Sequence, residues 1–302
     1  MSGQADSVRS ILFALGANLA IAAAKTGAAI ATGSSAMLAE AIHSYADSGN
    51  QLLLLWGLKR ARRPPNDDYP LGYGKSIYFW SFIVALVLFS LGGLFSIYEG
   101  AHKLGSPDPL SYPWVAVGIL AFGVVAESVS LYGCLAEINK VRGGRSLWRW
   151  FRESRQSELI VVLGEDLAAL LGLALALVAV LATMVTGDPR YDAFGSIAIG
   201  VVLIVVAIGI AIEIKGLLIG QSADPAAEVA MRRFLDGRPE IAETYHFITL
   251  QLGASLMVAV KARMRETGSA AILIADINAV EAAMRAAFPD IQWLFFEPDA
   301  QD

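Results

Sequence analysis

Six stretches of this chain, residues 11–32, 36–58, 77–104, 114–138, 159–185 and 194–219, are long and apolar enough to read as membrane-spanning helices. A helix needs roughly 20 apolar residues to cross the hydrocarbon core of a bilayer. This succession of runs constrains the chain more than any other feature, and composition agrees with it. Of 302 residues, 56% are hydrophobic and 17% charged, where a soluble domain sits nearer half and about a quarter. Disorder, collagen and coiled coil are excluded on the same ground. A net charge of −5 argues against a nucleic-acid partner. The one cysteine, Cys134, lies inside an apolar run, so it excludes a disulfide scaffold and reads as a packing residue. The polar start, residues 1–9, is followed by a run with no small-residue cleavage site, so the first run is expected to remain as a span.

The lysines and arginines orient the spans. Lys59, Arg60, Arg62, Arg63 and Lys75 lie between the second and third, and Lys140, Arg142, Arg145, Arg149, Arg152 and Arg155 between the fourth and fifth. The opposite connections hold only Lys103 and Arg190. This bias places the charge-rich loops, and with six spans both termini, on the inside. The expected organisation is a six-helix transmembrane domain over 1–220 and a cytoplasmic domain over 221–302. In the tail, 225–236 and 270–288 pattern as helices, and 245–252, 256–264 and 291–296 as strands, the first two joined at Gly253-Ala254. The order αββαβ in about 80 residues suits a small two-layer α+β sheet of ferredoxin-like type.

Ionisable groups at mid-membrane are costly, roughly 2.5–3.5 kcal/mol on insertion scales, so each needs a reason. The second span carries Glu40, His43, Asp47 and Asn50 at spacings of 3, 4 and 3, which places all four on one helical stripe. His43 and Asp47, at i and i+4, suit a borderline metal such as Zn²⁺, which takes about two further ligands; a His–Asp hydrogen bond that locks the helix is the plainer reading. The fifth span supplies Glu165 and Asp166, which point about 100° apart on a helix, so only one is expected to face an ion. Both acids would instead be interfacial if that span started later. The fourth span adds Glu127, expected to face the bundle interior. Glu137, Glu99 and Glu213 lie nearer span ends and read as interfacial. Lys25 in the first span is a counter-charge to the acids or a side chain that snorkels to the interface.

With those residues in view, the sequence resembles the cation diffusion facilitator family of metal–proton antiporters. The run Gly33-Ser34-Ser35-Ala36-Met37-Leu38-Ala39-Glu40-Ala41-Ile42-His43-Ser44, continued to Asp47, is similar to that family's second-helix motif. Tyr69-Pro70-Leu71-Gly72-Tyr73-Gly74-Lys75 is similar to the stretch that opens its third helix. The family usually completes its ligand set with His-x-x-x-Asp on the fifth helix, and here the chain departs. If Glu165 takes the histidine position, the residue four later is Ala169, which cannot bind metal. The block from Glu165 to Gly172 instead resembles the zinc transporter nine branch, as do Ala126-Glu127-Ser128, Phe151-Arg152-Glu153-Ser154-Arg155 and Tyr191-Asp192-Ala193-Phe194-Gly195-Ser196. The resemblance implies a metal set of His43, Asp47 and Glu165, with Glu127 or Asp166 in place of the missing carboxylate. It also implies a homodimer. The family's tail often binds further zinc through several histidines, whereas this tail has only His246, read as structural.

The expected function is export of a divalent transition-metal cation, foremost Zn²⁺, in exchange for protons. The metal and protons are substrates, the lipid bilayer is the medium, and no resident cofactor is expected. Ligands must be deprotonated to hold metal, so binding releases protons. His43 is the best exchanger because imidazole titrates between pH 5 and 8, and Asp47 and Glu165 carry protons back, with Glu40 and Asn50 along the pathway. Mn²⁺, Fe²⁺ or Co²⁺ is the alternative cargo, since a carboxylate-rich site with one histidine is harder than a two-histidine site. An intramembrane metal hydrolase would need a His-Glu-x-x-His helix, which the chain lacks, and a metal sensor would need ligands in the tail. No Walker-type phosphate loop occurs, so an enzyme is not expected. The absence of a targeting segment gives a bacterial inner membrane as the expected location.

Overall fold

A computed structural model describes the backbone of residues 3–106 and 109–301, and all of their side chains except those of residues 3–14, 16 and 17. The polar start at residues 1–9 therefore lies outside the described side chains. The helices are α1 (Gly3–Thr32), α2 (Ser35–Ala61), α3 (Ser76–Gly105), α4 (Pro113–Val141), the short α5 (Leu147–Glu153), α6 (Ser157–Thr186) and α7 (Arg190–Ile219). They are followed by α8 (Pro225–Asp236), β1 (Ile241–Leu252), β2 (Ser255–Met264), α9 (Ala270–Ala287) and β3 (Ile291–Pro298). Among the described residues, four helices, α3, α4, α6 and α7, are long and apolar enough to cross a membrane. At 30, 29, 30 and 30 residues and 1.5 Å per residue, each exceeds the hydrocarbon thickness. The expected count was six. The helices α1 and α2 are 30 and 27 residues long, but the polar stripe of α2 dilutes its apolarity.

The chain forms two compact units. The first comprises Met1–Trp56, Trp80–Arg145 and Glu158–Glu213; the second comprises Gly57–Phe79, Ser146–Ser157 and Ile214–Asp302. The second unit thus takes in residues 57–79, 146–157 and 214–220 besides residues 221–302.

In the first unit, α3 and α7 meet backbone to backbone. A Cβ on Gly93 would strike Ile204, and one on Gly200 would strike the Gly93 carbonyl. Such small-residue contacts replace the hydrophobic drive that lipid does not supply. The same part of α3, Leu88–Leu94, is wound as a π-helix, and Ser96 Oγ donates to the Gly92 carbonyl at 2.6 Å. The connection from α1 to α2 is pinned by buried Asp192 of α7. Its carboxylate accepts from the Ser35 backbone N–H at 2.7 Å and from Ser35 Oγ at 2.9 Å, capping α2. Lys103 of α3 lies 3.7 Å from that carboxylate and donates to the Gly33 carbonyl.

In the second unit, β1 and β2 form an antiparallel hairpin and β3 runs parallel to β2, in the order β1-β2-β3. The hairpin turns at Gly253, whose φ of +68° is a region that favours glycine. Alternate β2 residues Leu256, Val258, Val260 and Ala262 are buried, the period of a strand with one covered face. Met231 and Leu235 of α8 and Val280 and Met284 of α9 complete that core, and Phe234 meets Phe288 edge to face at 5.6 Å. Within the same unit, Tyr78 Oη accepts from the Gly253 N–H at 3.0 Å. Arg155 donates to the Ser222 and Ala223 carbonyls at 2.6 and 3.2 Å, and Trp150 is buried.

Candidate metal site

The stripe on α2 is turned wholly inward. Glu40, His43 and Asn50 are fully buried, and the Asp47 side chain is 15% exposed. His43 Nε2 lies 3.5 Å from Asp47 Oδ2, the i, i+4 geometry that the spacing predicts. One turn further along, Asn50 Nδ2 donates to Glu165 Oε1 of α6 at 2.6 Å. Asp166, the next residue of α6, points elsewhere and accepts from Ser130 Oγ of α4 at 3.1 Å. This divergence of the two neighbours follows from the 100° step of a helix.

Asp47, Glu127, Glu165 and Asp166 line one cavity of about 60 Å³ within the first unit. The helices α2, α4 and α6 each contribute carboxylate to it. Ala169 also faces the cavity, so the position at which a fourth carboxylate is missing looks into the same space. His43, Glu40 and Asn50 stand beside the cavity rather than on its wall. Ser44 and Gln51 of α2, Asn18 of α1 and Ser130 of α4 complete its polar lining; sequence reasoning gave none of them a role at the site. Gln51 stands four residues after Asp47, and Ser130 three after Glu127, so helical spacing from the acids was the signal available. Asn18, a lone amide in an apolar run, had no such companion.

Several polar atoms here have no hydrogen-bond partner: Asp47 Oδ1, Asn50 Oδ1, Asp166 Oδ2 and both His43 ring nitrogens. A buried acceptor left unsatisfied costs about 1–3 kcal/mol, more for a charged group. Neutral imidazole nitrogen and carboxylate oxygen are a donor set that suits Zn²⁺ and its neighbours. Among the described residues, however, no three His, Cys, Asp or Glu side chains stand close enough to hold an ion as they are. The acids share a space without converging on one point.

The remaining charged groups sort themselves. Lys25 is fully buried and lies 3.2 Å from Glu40 Oε2, so of the two readings left open it is a counter-charge. Glu137 is exposed and pairs with Lys140 at 2.5 Å. His246 sits on β1 with an exposed side chain, in register with Lys261 of β2. Cys134 is buried.

Comparison with known proteins adds to this geometry. The family described as the cation efflux transmembrane domain matches residues 11–219. The chain is 33% identical over 226 residues to the mitochondrial proton-coupled zinc antiporter SLC30A9 of Xenopus laevis, and 32% identical over 226 residues to that of Homo sapiens. In both cases 74% of this chain and 40% of the relative are covered. It is also 32% identical over 231 residues to metal tolerance protein C4 of Arabidopsis thaliana, covering 76% of this chain and 50% of that one. The chain thus spans half or less of the length of these relatives.

Proposed function

The chain belongs to the cation efflux family, and from that premise we propose that it exports a divalent transition-metal cation, foremost Zn²⁺, in exchange for protons. The observation that carries this reading is the cavity ringed by four acids on three helices, with the unpartnered oxygens of Asp47, Asn50 and Asp166 at or beside it. A buried carboxylate in a membrane helix marks an ion path by default. Two relatives are named proton-coupled zinc antiporters, which supports the cargo and the coupling ion. The family is one of cation transporters, which supports the reading that the chain is not an enzyme.

In this reading His43, Asp47 and Glu165 hold the ion, and Glu127 supplies the carboxylate missing at Ala169. Asp166 is the competitor, but Ser130 already engages it. Asn50 fixes Glu165 by its hydrogen bond, and Glu40 belongs to the pathway beside the ion. Because the side chains do not meet at one point, loading requires α2, α4 and α6 to close around the cation, and protonation of the same groups opens them. Two loaded states, metal or protons, then suffice for alternating access without ATP. The helices α1 and α2 complete six spans, and the lysine and arginine bias supports both termini on the cytoplasmic side of a bacterial inner membrane. The working form is a homodimer.

The test is flux of Zn²⁺, Mn²⁺, Fe²⁺ and Co²⁺ into liposomes holding the purified chain, under an imposed pH gradient with an internal pH dye. Zn²⁺ flux that dissipates the gradient is the expected result. Flux that ignores the gradient would make the chain a uniporter or channel, and no flux of any of the four would overturn the reading.

A further inference from the structure

Lys25 is a cation built into the bundle. Its side chain is wholly buried, and its ammonium donates to Glu40 Oε2 at 3.2 Å and to Ser44 Oγ at 2.7 Å. The neighbouring helix α6 leaves space for the pair at Gly172. A Cβ on Gly172 of α6 would strike Glu40 Oε1, and one on Gly123 of α4 would come 3.6 Å from Lys25 Cε and closer still to Leu173. Glycine at 172 leaves room for the Glu40 carboxylate, while glycine at 123 leaves room for Leu173 with the Lys25 stem in ordinary contact beside it. Glu40 keeps one further oxygen, Oε1, buried and without a partner.

The pair stands next to the cavity of acids. Ser44, which accepts from Lys25, is itself part of the cavity wall. Glu40 lies seven residues before Asp47 on α2, about 10 Å along the axis. Gly172 lies seven residues after Glu165 on α6, so the two levels are two turns apart on each helix. Without Lys25, Glu40 would extend the row of carboxylates by a fifth member, with its own unpaired oxygen and the Ser44 hydroxyl at hand.

We propose that Lys25 sets how many ions the pathway holds: its tethered ammonium occupies Glu40 and so limits the buried pathway to one divalent cation. The inference rests on the metal-transport reading above. It follows that the charge of the pair must stay balanced. Removing the lysine frees Glu40 to take a second cation. Removing the glutamate leaves an uncompensated ammonium one hydroxyl away from the acids, where it repels the metal.

The experiment is a calorimetric Zn²⁺ titration of the full chain in lipid nanodiscs. The parent should bind one Zn²⁺ that Asp47→Ala abolishes; a parent without such a site refutes the transport reading itself rather than this inference. Lys25→Met should bind a second Zn²⁺, retained in Lys25→Met/Asp47→Ala and lost in Lys25→Met/Glu40→Gln. Glu40→Gln alone should raise the Kd of the Asp47-dependent site by about tenfold or more, and the neutral pair Lys25→Met/Glu40→Gln should return it to within about threefold of the parent. A folded Lys25→Met with one site, or a Glu40→Gln with the parent's Kd, overturns the proposal. If Lys25→Met does not fold, the near-isosteric Glu40→Gln and the neutral pair decide the question alone.

Discussion

In the unit of long helices, Glu40, His43, Asp47, Asn50 and Asp166 each keep a buried polar atom with no hydrogen-bond partner. In the unit around the three-stranded sheet, the interior is Val258, Val260, Ala262, Val280 and Met284. Its charges lie outside that core in pairs: Arg238 with Glu240 at 2.6 Å, Arg263 with Glu243 at 3.0 Å, and Lys261 with Asp299 at 3.1 Å. Its buried polar atoms without partners are on Gln156 before α6, Thr244 of β1 and Trp293 of β3. The two units therefore hold their stability in different places. A core of apolar side chains with paired charges around it favours one rigid state. A row of half-satisfied acids is costly as it stands, and under the proposed function that cost makes a metal-loaded and a proton-loaded state accessible.

The contrast is broken most severely by Asp47→Ala. Metal flux in liposomes should vanish while hydrogen exchange across residues 241–298 stays as in the parent; normal flux would remove Asp47 from the site. The converse experiment attacks the sheet unit. Met284→Ala empties a buried position of its core and should destabilise that unit by about 2–5 kcal/mol. Hydrogen exchange of β1 to β3 should read this loss, with Zn²⁺ Kd changed less than about twofold. A large loss of affinity would mean that the two units do not divide stability from binding.

Within the helical unit, Glu127→Gln should weaken Zn²⁺ binding at least about tenfold, roughly 1.4 kcal/mol, and more than Asp166→Asn does. Titration of both variants decides it, and a larger effect from Asp166→Asn would move the fourth ligand to α6. Smaller still is the effect of Asp299, whose carboxyl is held below the usual range, first by its hydrogen bond with Lys261 and then by the Ala300 and Gln301 N–H groups. Its folded value lies below the unfolded one of about 3.9. The contribution is therefore present above that pH and fades as pH falls through the folded value. Asp299→Asn should leave stability unchanged at pH 7 relative to pH 5 and flatten its slight decline below about pH 4, measured by exchange of the β3 amides. Least affected of all is His246→Ala. An exposed lone histidine on a strand cannot build a zinc site, so the chain should bind the same number of Zn²⁺ ions; loss of one would give the tail a metal site after all.

Local periodicity carried a large share of this protein into view before any packing was known. Apolar runs of helical length mark α3, α4, α6 and α7, because lipid demands some 20 consecutive apolar residues of any spanning helix. Alternation at period two marks β1 and β2, and the 3-4-3 spacing turns Glu40, His43, Asp47 and Asn50 to one side of α2. Those signals live within one element and need no partner. What an element touches is another matter. Lys25 had two readings until a fold brought it to Glu40, 15 residues away on another helix. Nothing local ties Asn50 to Glu165, 115 residues apart, or Asp192 to the start of α2, 157 residues away. The gathering of residues 57–79 and 146–157 with the tail is equally invisible in the row of spans. Each of these depends on which elements pack together in the fold, and on which buried polar group finds which partner. A buried group can pair only with what the fold brings within hydrogen-bond reach, and that neighbour is chosen by packing.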